Sequence, residues 1–339
     1  MQKIRRLLAI GVASAMVVCT VPVQAAESAA NTAQATTNPA QSATNTPQDT
    51  SGTTQPQQPS ATVKKIGLVK EGTKYVYYDK KGRKVKNKWL TIKKKRYYFK
   101  ADGTAAIGGN KIGKYIYVFD LQGRLIKPSK SKIVTVGKTS YYVNKKGQAY
   151  KGFFKIGKRL YRGDSKGRLT KNKTVSNITF NSKGYANNDI NAKLKMKLMS
   201  IMSKITTQGM SKSKKLYACW RYLTSGGRFY YSTYWPDFDQ EGWQQALAYR
   251  MLTKGCGDCY AFACTFAAMA KELGYKPYVI LGRVPGTRDG AADGMTSHGW
   301  VMIGGRYYDP EAEFAGWYRG VYGNSSYDIR HTVSRRIKF

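Results

Sequence analysis

Acidic residues, histidines and cysteines are all scarce in this 339-residue sequence, and each scarcity narrows what the chain can be. Nineteen Asp and Glu face 58 Lys and Arg, a formal net charge of +39. That excess implies a polyanionic partner. There are only two histidines, so any chemistry that needs an imidazole base has almost no choice of residue. Past the amino-terminal segment the cysteines are Cys219, Cys256, Cys259 and Cys264, too few for a disulfide framework to carry a fold of this size. Long apolar runs are equally rare. After the first residues none is long enough to span a bilayer, so no stable membrane insertion is expected.

The amino terminus reads as a secretory signal over residues 1–25. Lys3, Arg5 and Arg6 form a charged start, Leu7 to Val23 are mostly apolar, and Val23-Gln24-Ala25 offers a small-residue cleavage site. Val18 precedes Cys19 where a lipoprotein site wants a small residue, so no lipid anchor is expected. Residues 26–62 are Ala, Thr, Gln, Asn, Ser and Pro, with few charges and no large apolar side chains. Such a segment buries too little apolar area to offset its ordering entropy and reads as a flexible tether or spacer. An exported chain makes wall polymers or anionic lipids the natural polyanions, and nucleic acid an unnatural one.

Residues 63–185 repeat one unit. It has a Lys-rich start, a short aromatic and β-branched run, then an Asp/Asn-x-x-Gly-like turn, as in Tyr77-Tyr78-Asp79-Lys80-Lys81-Gly82 and Tyr141-Tyr142-Val143-Asn144-Lys145-Lys146-Gly147. The closing glycines step by 21, 20, 24, 20 and 17 residues, the period of a stacked supersecondary array. Aromatics followed by a Gly-closed turn read as a β-hairpin, and hairpins must stack to bury their aromatic faces. The region resembles the cell-wall-binding repeats of Gram-positive surface proteins, of the choline- and glucan-binding type. It departs from them in having a single tryptophan, Trp89, and abundant lysine. Lysine is a phosphate-seeking point charge, so the expected partners are anionic wall polymers, a teichoic acid or an acidic glycan. The tyrosines read mainly as hairpin core, with sugar stacking as the alternative.

From residue 186 to 339 Lys and Gly thin out and helical periodicity begins. Leu194, Leu198, Ile201, Met202 and Ile205 form one stripe; Leu216, Tyr217, Trp220 and Leu223 suggest a second helix; Trp243 to Leu252 suggest a third. Cys259 to Leu273 is apolar nearly all round, the pattern of a buried helix, with Asp258 as N-cap and Gly274 as stop. A thiol in the first turn of that helix meets the positive end of the dipole. Trp300 to Ile303 and Arg306 to Asp309 read as two strands around a Gly304-Gly305 turn. In that register Ile303 faces Arg306, Trp300 faces Asp309, and His298 shares their face. His298 and Asp309 then lie diagonally across the ladder, with backbones roughly 7–8 Å apart.

Cys259 with Leu273-Gly274, His298-Gly299-Trp300 and Asp309-Pro310, in that order, resemble the transglutaminase-like superfamily with its papain-like thiol chemistry. The resemblance implies an α+β domain following the hairpin array. It also implies Cys259 as nucleophile, His298 as general base and later acid, and Asp309 as the group that orients the imidazole. His331 reads as a surface residue. Cys256, in Cys256-Gly257-Asp258-Cys259, leaves several readings open: a bystander thiol, a zinc or redox pair, or a reversible disulfide that silences Cys259. Cys264 reads as core. The amide of Cys259 is a natural oxyanion donor, and Tyr231, Trp243 and Gln244 are candidates for a second. The loop from Pro285 to Ser297 reads as a lid, a specificity loop or a plain connector. The expected substrates are surface proteins or wall peptides, with no metal or organic cofactor. The expected activity is amide hydrolysis or acyl transfer to an amine. The alternative is a wall-binding scaffold that has lost catalysis.

Overall fold

The computed structural model describes residues 64–339; the expected signal and tether lie outside the described residues. Six two-stranded antiparallel hairpins come first. They are β1 (Gly67–Glu71) with β2 (Lys74–Tyr78), β3 (Lys88–Ile92) with β4 (Lys95–Phe99), and β5 (Gly108–Ile112) with β6 (Tyr115–Phe119). Then follow β7 (Lys132–Val136) with β8 (Thr139–Val143), β9 (Gly152–Ile156) with β10 (Arg159–Gly163), and β11 (Lys173–Val175) with β12 (Ile178–Phe180).

Each unit holds two turns, where the sequence pattern suggests one. The hairpin turn is a tight loop ahead of the aromatic strand, such as Gly113-Lys114 between β5 and β6. The Asp-x-x-Gly turn comes after that strand and folds the chain back in a single bridge, such as Phe119 with Leu125. Asp120 builds it by accepting the backbone N–H groups of Gln122 and Arg124, both at 2.9 Å. The folded-back segment also ties each hairpin to the one before. Ala105, Leu125, Ala149, Leu169 and Ala186 donate their N–H groups to the carbonyls of Tyr75, Arg96, Ile116, Ser140 and Leu160, at 2.7–2.8 Å. A lone hairpin is marginal in water, and these rungs plus buried Phe99, Phe119, Val143 and Phe180 make the array cohere.

The helical part opens with α1 (Ile190–Ile205), capped by the Asp189 carboxylate on the N–H of Ala192, and α2 (Lys212–Thr224), capped by Ser211. Leu194, Leu198 and Ile201 bury as the stripe requires, as do Leu216, Trp220 and Leu223; Tyr217 instead is half exposed and packs edge-on against Tyr322. A short strand β13 (Tyr230–Tyr231), then α3 (Trp243–Lys254), precede β14 (Cys256–Gly257) and the central helix α4 (Cys259–Glu272). Asp258 caps α4 by accepting the Ala261 N–H at 3.0 Å, and Gly274 ends it at φ +79°, a conformation that favours glycine.

Against α4 lies a five-stranded antiparallel sheet in the order β18-β17-β16-β15-β19: β15 (Pro277–Pro285), β16 (Met295–Ile303), β17 (Arg306–Tyr308), β18 (Tyr322–Asn324) and β19 (Thr332–Lys338). Between β17 and β18 sits the short helix α5 (Pro310–Ala315). The fold is therefore α+β, a hairpin array followed by a mixed helix-and-sheet domain. Residues 64–339 belong to one compact unit, and Ile178 and Phe180 of the last hairpin pack against Ala192 of α1. Among the described residues no helix is long and apolar enough to cross a membrane.

Candidate active site

The register across Gly304-Gly305 pairs Ile303 with Arg306, as the alternation argument requires. Asp309, expected as a strand residue, lies one step past β17 and caps α5 instead. Pro310 explains the change: proline has no N–H for the ladder but suits the first turn of a helix. The Asp309 Oδ1 accepts the Ala312 N–H at 3.0 Å. Its Oδ2 meets the His298 Nε2 at 2.7 Å and accepts the Tyr327 hydroxyl at 2.6 Å. The carboxylate is fully buried and fixed from three sides.

His298 is itself buried, with its ring near parallel to Trp300 at 6.0 Å between centroids; Trp300 in turn stacks on Tyr327 at 4.6 Å. His298, Trp300 and Tyr327 thus brace one another behind the imidazole. His331 is not a free surface residue. It is half-buried, with its Nδ1 2.7 Å from the Ile329 carbonyl and its ring edge-on to Trp300 and Tyr327.

Helix α4 delivers Cys259 to the same place. Gly299 makes this approach possible, because a Cβ there would stand 2.6 Å from the ring of Tyr260, the residue after Cys259. The thiol stands close enough to His298 to help raise the imidazole pKa. Burial alone pushes the imidazole pKa down, but the charges of Asp309 and Cys259 and their hydrogen bonds outweigh it and hold it well above its ordinary value. Since Nε2 is engaged by Asp309, Nδ1 is the ring nitrogen left for the thiol.

A cavity of about 400 Å³ opens beside the imidazole, bounded by His298, Glu311, Tyr231, Arg288 and Trp317. Cys259 is not on its lining and is 1% exposed. Arg288 comes from the loop at 286–294, which is shorter at both ends than the sequence suggests because β15 and β16 run on to Pro285 and back to Met295. Its guanidinium donates to the Tyr231 hydroxyl and the Ser297 carbonyl across the cavity mouth. Partial burial works against the Arg288 charge, yet Cys259 and Tyr231 hold its pKa above the ordinary value. Glu311, in the first turn of α5, accepts the Trp317 indole N–H at 3.1 Å and stands 3.9 Å from the His298 Nδ1. Burial raises its carboxyl above the usual range, against the pull of His298.

Of the three candidate oxyanion donors, only Tyr231 borders this cavity. Trp243 lines a separate one with Tyr234 and Arg250, and the buried Gln244 Nε2 has no hydrogen-bond partner. All four described cysteines are free thiols, with Cys256 half-buried in β14 and Cys264 fully buried in α4. His298, Asp309 and Glu311 present ligand atoms within 4.8 Å of one another. As a metal set they fit poorly, because Asp309 is already committed to His298, Tyr327 and the α5 cap. The sequence reading missed Tyr327, Glu311, Arg288 and Trp317. Arg288 alone left a trace there, as the one basic side chain of the loop.

The model of the transglutaminase-like superfamily matches residues 200–319. The carboxy-terminal domain is transglutaminase-like. The match takes in the thiol, the imidazole and the carboxylate, from α4 of this transglutaminase-like domain through α5. No curated protein matches the chain. Among solved structures, choline binding protein F from Streptococcus pneumoniae is similar at 23% identity and TM-score 0.19, over 37% of this chain and 48% of that one. A truncated alternansucrase from Leuconostoc mesenteroides is similar at 23% identity and TM-score 0.26, over 37% and 11%. The modular Cpl-1 endolysin complexed with a peptidoglycan analogue is similar at 18% identity and TM-score 0.27, over 38% and 40%. The chain thus spans less than half the length of each of these.

Proposed function

We propose that this chain is an exported, wall-associated cysteine enzyme that acts on amide bonds through an acyl-enzyme. The observation that carries the reading is the buried His298 imidazole, held by Asp309 at 2.7 Å where the first turn of α4 brings Cys259 close enough to raise its pKa. His298 takes the thiol proton. The sulfur attacks the amide carbon, the C–N bond breaks, and the amine leaves with the imidazolium proton. Water then cleaves the thioester to give an acid, or an amine attacks it to give a new amide. Asp309 keeps the ring in place and stabilises its charge. The Cys259 amide, at the start of α4, and the Tyr231 hydroxyl, on the cavity wall, are the candidate oxyanion donors. Surface proteins or wall peptides are the substrates.

The test incubates the wild type and C259A with a wall extract and a labelled amine. Incorporation of the label above the C259A level marks transfer, and new carboxyl termini mark hydrolysis. A wild type no more active than C259A sinks the enzyme reading and leaves a scaffold.

The hairpin array is the wall anchor in this reading. Trp89, its one tryptophan, is half-buried beside Tyr98, Tyr117 and Phe119, and the Arg96 guanidinium lies 4.3 Å over its ring, where a ligand cation would have to sit. Attachment is therefore ionic, to phosphates or acidic glycans. Retention on isolated walls should fall steeply between low salt and about 1 M, where the screening length shrinks to about 3 Å. Release by choline at constant salt would overturn the ionic reading.

A further inference from the structure

One place in the array breaks the repeat pattern three times at once. In the second strands of the first five hairpins, position two is Tyr75, Arg96, Ile116, Ser140 and Leu160, and position four is Tyr77, Tyr98, Val118, Tyr142 and Arg162. The residue whose N–H pairs with the position-four carbonyl is Val85, Ala106, Ile126, Tyr150 and then Thr170. Ser140, Arg162 and Thr170 thus replace residues that are aromatic or aliphatic in most other copies. All three line one cavity of about 390 Å³ between the β7–β8 and β9–β10 hairpins. The backbone is unchanged there, since Leu169 still donates to the Ser140 carbonyl and Thr170 to that of Arg162, both at 2.8 Å.

The substituted side chains are organised. Ser140 and Thr170 are 7% and 8% exposed. Lys171 Nζ donates to the Ser140 hydroxyl at 3.0 Å, and Arg162 Nη1 donates to the Thr170 hydroxyl at 3.2 Å. Each hydroxyl holds one cation at the cavity wall. Lys138 and Lys173 complete the lining on the charged side, while Arg168 is neutralised by Asp164 at 2.7 Å. Four cations without a carboxylate partner therefore meet in a cavity with polar walls. Excess lysine on an open face needs no ligand. Hydroxyls buried where most other copies carry apolar groups, each positioning a cation, are a different matter.

We propose that this cavity is a phosphate-binding subsite, in which Arg162 and Lys171 contact the phosphate oxygens and Lys138 and Lys173 add charge. Arg supplies a planar fork of donors suited to phosphate, and Lys a mobile point charge. The ligand chemistry is a phosphate group, free, in a polyol phosphate chain, or on a lipid head. The proposal rests on the ionic attachment reading and is independent of the thiol chemistry.

The test uses the full chain carrying C259A, with R162Y and S140L as variants that install what other copies carry at those positions, and K171Q. K114Q and K145Q, single-charge losses at exposed sites outside the cavity, are the controls for net charge. Binding of inorganic phosphate, of poly(glycerol phosphate) chains and of phosphatidylglycerol vesicles is measured at 150 mM salt. The expected result is saturable binding of one phosphate per cavity, weakened at least tenfold by R162Y and K171Q and unchanged by K114Q and K145Q. The vesicle and polymer arms show which source of phosphate the subsite prefers. Equal weakening by cavity and control variants, or no saturable phosphate binding, overturns the proposal. If R162Y and K171Q bind phosphate as the parent does while wall retention stays salt-sensitive, the subsite fails and ionic attachment stands. If the parent chain is itself retained regardless of salt, ionic attachment has failed.

Discussion

Asp309 does three jobs with one side chain, and they separate by charge. It caps α5 through Oδ1, and through Oδ2 it takes the Tyr327 hydroxyl and holds His298. D309N keeps a cap oxygen but removes the charge that raises the imidazole pKa. The chain has two histidines, so each ring can be followed by nitrogen-detected NMR. In D309N the His298 titration should move to lower pH by more than one unit, and turnover should fall by about 10²–10⁴-fold, the range of a general acid–base contribution. An unmoved titration would mean that Asp309 does not govern the ring. The linkage has a definite sign. A pKa raised on folding means the native state binds the proton more tightly than the unfolded chain. That stabilisation is complete below about pH 6.5, the unfolded imidazole value, and is lost as pH rises through the folded one. The stability of the wild type relative to H298Q, from urea unfolding, should therefore shrink from pH 6 towards pH 9.

The meeting of α4 with β16 depends on absent atoms as much as on present ones. The helix is buried along most of its length, and Phe262 and Phe266 each contribute about 1.5–3 kcal/mol by burial. Yet its first turn reaches His298 only because Gly299 has no side chain. G299A should push Tyr260 and the first turn away, costing about 1–3 kcal/mol of overpacking. The sharper readout is thiol chemistry. Alkylation of Cys259 should lose its dependence on His298, so that G299A and G299A/H298Q react at the same rate. A G299A protein that still differs from its double mutant would show that α4 accommodates the extra methyl.

The hairpin array and the transglutaminase-like domain share apolar contacts. Phe180 is fully buried at the junction, in one cluster with Leu160, Ile178 and Ala192. F180A should cost about 3–5 kcal/mol, as large-to-small changes at buried aromatics do. It should also turn a single calorimetric unfolding transition into two, one of them followed by the tryptophan signal, since five of the six tryptophans lie past residue 186. Retention of one transition in F180A would mean that the two parts cohere through other contacts. The charge acts over the same length. Most of it is spread along the array, where ionic attachment would draw on many lysines and the cavity at Arg162 on a few.

What the sequence determined on its own was whatever short range governs. Strand alternation and the Gly304-Gly305 loop set the register as far as Tyr308, one residue short of Asp309, which Pro310 makes a helix cap; the Asp258 cap, apolar run and Gly274 stop set the length of α4 within a residue. The repeat period announced the array, although not which turn closes each hairpin, because both turn types look alike without knowing which carbonyl each N–H meets. The partners that brace the site were invisible for a different reason. Tyr327, Arg288 and Glu311 sit in segments with no period of their own, and their roles come from where α5, the 286–294 loop and the chain after β18 are packed. Ser140, Arg162 and Thr170 were in plain sight as departures from a repeat. Only the stacking of one hairpin on the next, which brings residues 22 and 30 positions apart to one wall, made a cavity of them.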